Sequence, residues 1–329
     1  MTDRYTPPYR ITPGILHSIE QIGEALGNLQ AGSDSTVVPV LRRGNRIKTI
    51  QASLAIEGNS LSLEQVTAVL AGKRVLAQPR EIQEVRNAFA AYEKLTEWTA
   101  HSRADLLAAH GLLMAGLADE IGRFRSGGVG IQRDREVIHV APSAERVPEL
   151  MDNLLVWLEK TDEHPLVASC VFHYEFEFIH PFEDGNSRLG RLWQTLILTR
   201  WRPIFALLPE ESIIHDRQQA YYAALGRADH AADATPFIEF MLAAVLRAIE
   251  DSDLASDQEK VSEKTPEKMS EKIITLLGAD GSLSIKVLAE QLGKATRTVE
   301  RTLRKLREAG VIERIGPDRG GHWVVKHKS

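Results

Sequence analysis

His180-Pro181-Phe182-Glu183-Asp184-Gly185-Asn186-Ser187-Arg188-Leu189-Gly190-Arg191 is the densest group of chemistry-bearing residues in this 329-residue chain. Gly185 and Asn186 tolerate backbone angles that aim successive N–H groups into one concavity, and a helix opening near Ser187 adds a favourable dipole for an anion. The run therefore describes a phosphate site. Arg188 and Arg191, spaced i and i+3, fall on one face of that helix and can grip phosphate oxygens. Asp184 supplies a hard oxygen ligand, and magnesium is commonly held by one carboxylate together with substrate phosphates. His180 stands just outside the cradle. With an unperturbed pKa of about 6.5, its imidazole can be neutral and accept a proton from an attacking hydroxyl. Taken singly, these residues describe a turn, a loop and a solvated helix face; their order carries the signal.

The elements that must position this run are mostly helical. Apolar residues recur at helical spacing through Ile15 to Leu29, Arg46 to Ala55, Leu63 to Leu70, Ile82 to Trp98, Arg103 to Leu117, Val147 to Leu158, Leu166 to Ile179, Ser187 to Thr199 and Thr235 to Ile249. The stretches Leu166 to Ile179 and Ser187 to Thr199 flank the run directly. One stretch departs from this period: Gly127 to Ile131 and Val137 to Val140, around polar Gln132 to Glu136, predict a β-hairpin. Loop hairpins on helical scaffolds often carry function, because a rigid body positions them while their strand edges stay free.

In order, the run closely resembles the signature of the Fic family, His-Pro-Phe-x-Asp/Glu-Gly-Asn-Gly-Arg-x-x-Arg. Every specified position matches except Ser187, where the family usually has glycine. From Met1 to about Asp251 the chain is also similar to family members in Ile82-x-x-Val85-x-Asn87, His110-Gly111-x-x-Met114 and Phe172-His173-Tyr174-x-Phe176. The resemblance implies a helical core with the hairpin as a flap beside the motif. It implies an enzyme that moves AMP from ATP, with Mg2+, onto a Ser, Thr or Tyr hydroxyl of a target protein or of itself. His180 would then be the general base and Asp184 the magnesium ligand. Gly185, Asn186, Ser187, Arg188, Leu189, Gly190 and Arg191 would form the ATP-binding run. Within it, Gly185 to Arg188 would cradle the α- and β-phosphates, Arg191 would meet the γ-phosphate, and Phe182 would anchor the loop in the core. Tyr222 is similar to the family's aromatic near the nucleotide, or is a packed helix tyrosine. Serine at position 187 keeps the backbone N–H but enters positive φ less freely, at about 1 kcal/mol per strained residue, and fits without strain inside a first helical turn.

Ser53-Leu54-Ala55-Ile56-Glu57-Gly58-Asn59 reads alone as a helix end stopped at Gly58. Beside the motif, it resembles the family's inhibitory helix, which implies that Ser53, Glu57 and Gly58 are inhibitory and that Glu57 pairs with Arg191. A carboxylate there removes a γ-phosphate ligand and misaligns the α-phosphate for in-line attack. Two other readings stay open: a nucleotide-sensing, DNA-binding regulator, and a variant that removes AMP or moves a phosphate.

The whole chain carries −5, but Met269 to Ser329 holds 12 basic against 7 acidic residues, leaving 28 against 38 before it. Asp251 to Lys268 has almost no apolar content and reads as a linker, so the expected domains are 1–251 and 269–329, joined by a linker 252–268. In the second domain, Ile273 to Leu277, Leu288 to Leu292 and Val299 to Leu306 predict three helices. Val311 to Ile315 and His322 to Val325 predict two strands, giving a winged helix-turn-helix. Lys294, Arg297, Arg301, Arg304, Lys305 and Arg319 would face DNA, diluted by Glu300 and Glu308; a protein partner is the competing reading. The expected class is mainly α with two small hairpins. Apolar residues at 43% and charged residues at 26% fit an ordinary folded protein rather than a disordered or collagenous one. A lone Cys170, no signal-like opening and no apolar stretch of about 20 residues point to the cytoplasm and away from a membrane.

Overall fold

The computed structural model describes residues 5–31, 38–128, 130–133, 136–251, 266–292, 296–308, 310–315 and 322–326. These fall into two compact units that divide between residues 252 and 253. The first is built on helices α1 (Pro13–Ala31), α2 (Val38–Ile56), α3 (Leu63–Leu70), α4 (Pro79–Glu93) and α5 (Arg103–Leu113). The hairpin β1 (Gly130–Arg133) and β2 (Glu136–Val140) follows, then α6 (Val147–Lys160), α7 (Pro165–Ile179), α8 (Asn186–Trp201), α9 (Glu210–Asp216), α10 (Gln218–Ala231) and α11 (Thr235–Asp251).

At the centre, α7 packs along α8, while α1 lies on α11, and α2 on α9. Helix α7 is apolar nearly all round and is buried from Leu166 to Glu177, which suits a helix covered on every side. Phe172, Phe176, Phe182 and Trp193 are fully buried, and each such side chain contributes roughly 1.5–3 kcal/mol by leaving water. Local chemistry sets the helix ends. Ser62 and Gln65 form a capping box at the start of α3, the Ser102 hydroxyl accepts the Asp105 N–H at 3.2 Å to open α5, and Pro165 sits in the first turn of α7.

The mainly helical class and both hairpins agree with the sequence expectation. The differences have local causes. Helix α2 begins at Val38, ahead of Arg46, because Pro39 in a first turn gives up no needed N–H. Helices α9 and α10 lie outside the expected set; α10 is rich in alanine, so it forms on propensity with little apolar periodicity to betray it. Strand β1 pairs antiparallel with β2, Gly130 opposite Val140, with an irregularity between Ile131 and Gln132.

The second unit holds helices Pro266–Ala279, Ile285–Gln291 and Thr296–Glu308, then strands Ile312–Ile315 and His322–Val325 paired antiparallel. Ile273, Leu288, Val299, Leu303 and Trp323 form its own small core. Arg301 and Arg304 are exposed on the helix Thr296–Glu308. Residues 252–265 of the expected linker, Lys294 and Arg319 lie outside the described residues, as do the side chains of Arg297 and Lys305.

Candidate active site

The run from His180 to Arg191 bridges the C-terminus of α7 and the N-terminus of α8, and each end is made by one left-handed residue. His180 closes α7 at φ 50°, and Gly185 opens α8 at φ 83°. A β-carbon on Gly185 would lie 2.6 Å from Met114 Sδ, so glycine is required there twice over, by backbone angle and by space. Asn186 works differently from the sequence expectation. It is helical, and its side-chain amide clasps Phe182: Oδ1 accepts the Phe182 N–H at 2.9 Å and Nδ2 donates to the Phe182 carbonyl at 2.8 Å. Unusual backbone in this pair therefore belongs to Gly185 alone.

Phe182 is fully buried and stacks on the His110 ring with centroids 3.7 Å apart. His110 Nδ1 accepts the Gly122 N–H at 3.0 Å, which leaves the proton on Nε2 to donate to the Asp184 carbonyl, also at 3.0 Å. Burial lowers the His110 pKa, in keeping with this neutral ring. The loop is thus pinned from beneath at both Phe182 and Asp184.

Ser187 lies in the first turn of α8 with no positive φ, so serine is accommodated without strain. Its hydroxyl donates to Glu177 Oε2 at 3.3 Å. Leu189 is fully buried in the core, and a β-carbon on Gly190 would come within 3.2 Å of the His173 ring. The run therefore presents Arg188 and Arg191 while burying Leu189 behind them.

Both arginines are almost wholly buried, at 7% and 2% exposure. Arg188 donates to Asp184 Oδ1 at 3.0 Å and lies 3.6 Å from Glu84 of α4. Arg191 reaches across to the end of α2, where Nε donates to Ser53 Oγ at 3.1 Å, and Nη2 donates to the Ser53 carbonyl and to Glu57 Oε1, each at 2.9 Å. Burial alone would lower the Arg191 pKa, yet the Glu57 carboxylate, helped by Tyr221 and Glu177, holds it above the ordinary arginine value. Glu57 follows the last residue of α2, and Gly58 at φ 88° turns the chain away. Among the described residues, Arg188 Nε and Arg191 Nη1 are buried N–H groups with no hydrogen-bond partner. Buried donors left in this state call for an acceptor, and guanidinium groups three residues apart on the first turns of α8 suit an anion.

Asp184 is half-exposed; its Oδ1 also accepts the Gly185 N–H at 2.6 Å, and its Oδ2 accepts from Arg80 at 3.3 Å. Among the described residues no cluster of three His, Cys, Asp or Glu could hold a metal by itself. One accessible carboxylate beside a phosphate cradle does fit magnesium, whose remaining ligands would be phosphate and water oxygens. Tyr222 is half-buried on α10, where Gln218 contacts its hydroxyl at 3.5 Å and also donates to the Ile56 carbonyl at 2.8 Å. Tyr222 is thereby tied to the same corner as Glu57.

Three residues here carried no sequence signal. Arg80 and Glu84 sit i, i+4 on α4, an ordinary surface pairing until packing brings them to Asp184 and Arg188. Arg125 follows Phe124 in a segment without periodicity, yet its guanidinium donates to the His180 carbonyl at 2.7 Å.

Residues 98–198 match the Fic/DOC family, and residues 267–313 match the family of winged helix-turn-helix DNA-binding domains. A crystal structure of a Fic family protein from Desulfovibrio desulfuricans G20 is 52% identical and covers 99% of both chains, with a TM-score of 0.77. Protein adenylyltransferase fic-1 of Caenorhabditis elegans is 31% identical over 240 residues, which is 69% of this chain and 44% of that protein. Protein adenylyltransferase Fic of Nematostella vectensis is 29% identical over 256 residues, 74% of this chain and 56% of the relative. The chain thus spans about half the length of the curated relatives it matches.

Proposed function

The chain belongs to the Fic family, and from that premise we propose that it transfers AMP from ATP to a Ser, Thr or Tyr hydroxyl of a target protein, itself included. The observation that carries this reading is the pair of buried arginines with unpartnered N–H groups beside a left-handed histidine. The α- and β-phosphates would lie over Gly185 to Arg188, on the N-terminal amides of α8, and the γ-phosphate against Arg191. His180 takes the proton of the incoming hydroxyl as its oxygen bonds to the α-phosphorus. The bond from that phosphorus to the β-phosphate oxygen breaks, and pyrophosphate leaves. Magnesium held at Asp184 would neutralise charge on the phosphates. Every other part of the chemistry is positioning by Asn186, Phe182 and His110. Glu57 holds Arg191 away from the γ-phosphate and so restrains the reaction. Tyr222 borders the nucleotide, and the cytoplasm is the compartment that suits a reaction fed by ATP.

The test is incubation with ATP labelled on the α-phosphate. Parent protein labels itself or a target, and His180→Ala lowers labelling by on the order of 10² to 10⁴ while nucleotide binding survives. Equal labelling by His180→Ala would refute the base; label from γ-labelled ATP, with none from α-labelled ATP, would mark a phosphotransferase instead.

A second activity belongs to the C-terminal unit, which we read as a DNA-binding module whose first helix opens at Pro266, three residues ahead of the expected start at Met269, and which follows a catalytic domain of residues 1–251. The match to winged helix-turn-helix DNA-binding domains and the exposed Arg301 and Arg304 support it. Binding that does not weaken with added salt would argue for a protein partner instead.

A further inference from the structure

Arg125 is 3% exposed and is spent on backbone carbonyls from two separate places. Nε donates to the His180 carbonyl at 2.7 Å, and Nη2 donates to the Ile179 carbonyl at 3.3 Å. Nη2 also donates to the Pro142 carbonyl at 2.5 Å, and Nη1 to the Gly127 carbonyl at 2.8 Å. Its own backbone N–H donates to the Pro181 carbonyl at 2.9 Å. Ile179 and His180 are the end of α7, where carbonyls lack helical partners and carry the negative end of the dipole. Gly127 and Pro142 bracket the hairpin, just before β1 and just after β2.

His180 is one of two non-glycine residues with positive φ among those described. Such a conformation costs on the order of 1–3 kcal/mol and persists where surrounding contacts over-determine it. Arg125 supplies those contacts, because a planar fork reaches acceptors in several directions at once. We propose that Arg125 is a positioning residue that fixes the left-handed backbone of His180 and locks it to both ends of the hairpin, so that proton acceptor and flap hold one geometry. This rests on the reading of His180 as the general base. Displacement of the hairpin would shift the His180 backbone through the shared guanidinium.

The experiment uses full-length protein carrying Glu57→Gly, with and without Arg125→Lys. Lysine keeps the charge but offers a single compact donor group that cannot span four carbonyls. The kcat for AMP transfer should fall on the order of 100-fold, as for a misplacement of about 1 Å. KM for ATP should stay within about threefold, because Arg188 and Arg191 are untouched. Hydrogen–deuterium exchange should rise together in β1, β2 and the loop from His180 to Asp184, while α8 keeps the parent pattern. An unchanged kcat in an active background, or exchange that rises at only one of the two places, overturns the proposal. If Glu57→Gly alone transfers no AMP, the functional reading has failed. The exchange measurement then decides the coupling by itself: a joint rise upholds it and no joint rise refutes it. Arg125→Met, which preserves length without a buried charge, takes the place of a lysine variant that does not fold, under the same criteria.

Discussion

Glu57→Gly removes a carboxylate 2.9 Å from Arg191 Nη2, in a pair whose arginine side chain is 1% exposed and whose glutamate side chain is 32% exposed. A hydrogen bond between charged groups contributes about 1.5–3 kcal/mol, and the partial exposure of Glu57 puts this one near the lower end, about 1.5–2 kcal/mol. At roughly 1.4 kcal/mol per tenfold, freeing Arg191 should raise AMP transfer about 10- to 30-fold at subsaturating ATP. The opposing cost is small. Glycine inside a helix costs roughly 0.5–1 kcal/mol, but Glu57 lies beyond Ile56, the last residue of α2. Arg191 is not orphaned either, since Ser53 still accepts two of its N–H groups at 3.1 and 2.9 Å. The assay is the initial rate of AMP incorporation from α-labelled ATP at matched folded concentration, with Arg191→Ala in the Glu57→Gly background as control. An unchanged or lower rate in Glu57→Gly refutes the inhibitory role, and a gain that persists without Arg191 shows that the pair is not its cause.

A chain ending at Asp251 should retain self-labelling within about twofold, because the two compact units divide just beyond it; an insoluble product would refute the boundary. Gly185→Ala must hold alanine at φ 83° with its β-carbon 2.6 Å from Met114 Sδ, a backbone cost of about 1–2 kcal/mol before any clash. Calorimetry should show ATP affinity reduced about tenfold or more. Burial, with Glu211 beside it, holds the Glu210 pKa well above its ordinary 4.5, so the folded state binds the extra proton. Stability from that proton is complete below pH 4.5 and is lost as pH rises through the folded value. Glu210→Gln should therefore raise Tm at pH 8 by about 2–4 °C and by less at pH 5, and equal shifts at both would refute it.

Much of this site is a property of the sequence itself because its components are neighbours in the chain. Gly185, Asn186, Arg188 and Arg191 stand at fixed helical and turn offsets, and any fold that begins a helix there brings them together. Helices with an apolar stripe, both hairpins and the winged helix were legible for the same reason, since periodicity is local. What only the tertiary structure decided involves partners far apart in sequence. Arg191 meets Glu57 across 134 positions, Arg80 meets Asp184 across 104, and Arg125 meets His180 across 55. The family resemblance pointed to the first of these, and nothing in residue type or spacing pointed to the other two. A guanidinium becomes a clamp only once packing strips it of water and leaves carbonyls or carboxylates as its acceptors. Composition does not encode that burial; it follows from α7 and α8 packing together at the centre, with α2 against α8 and with Arg80 and Glu84 of α4 reaching Asp184 and Arg188.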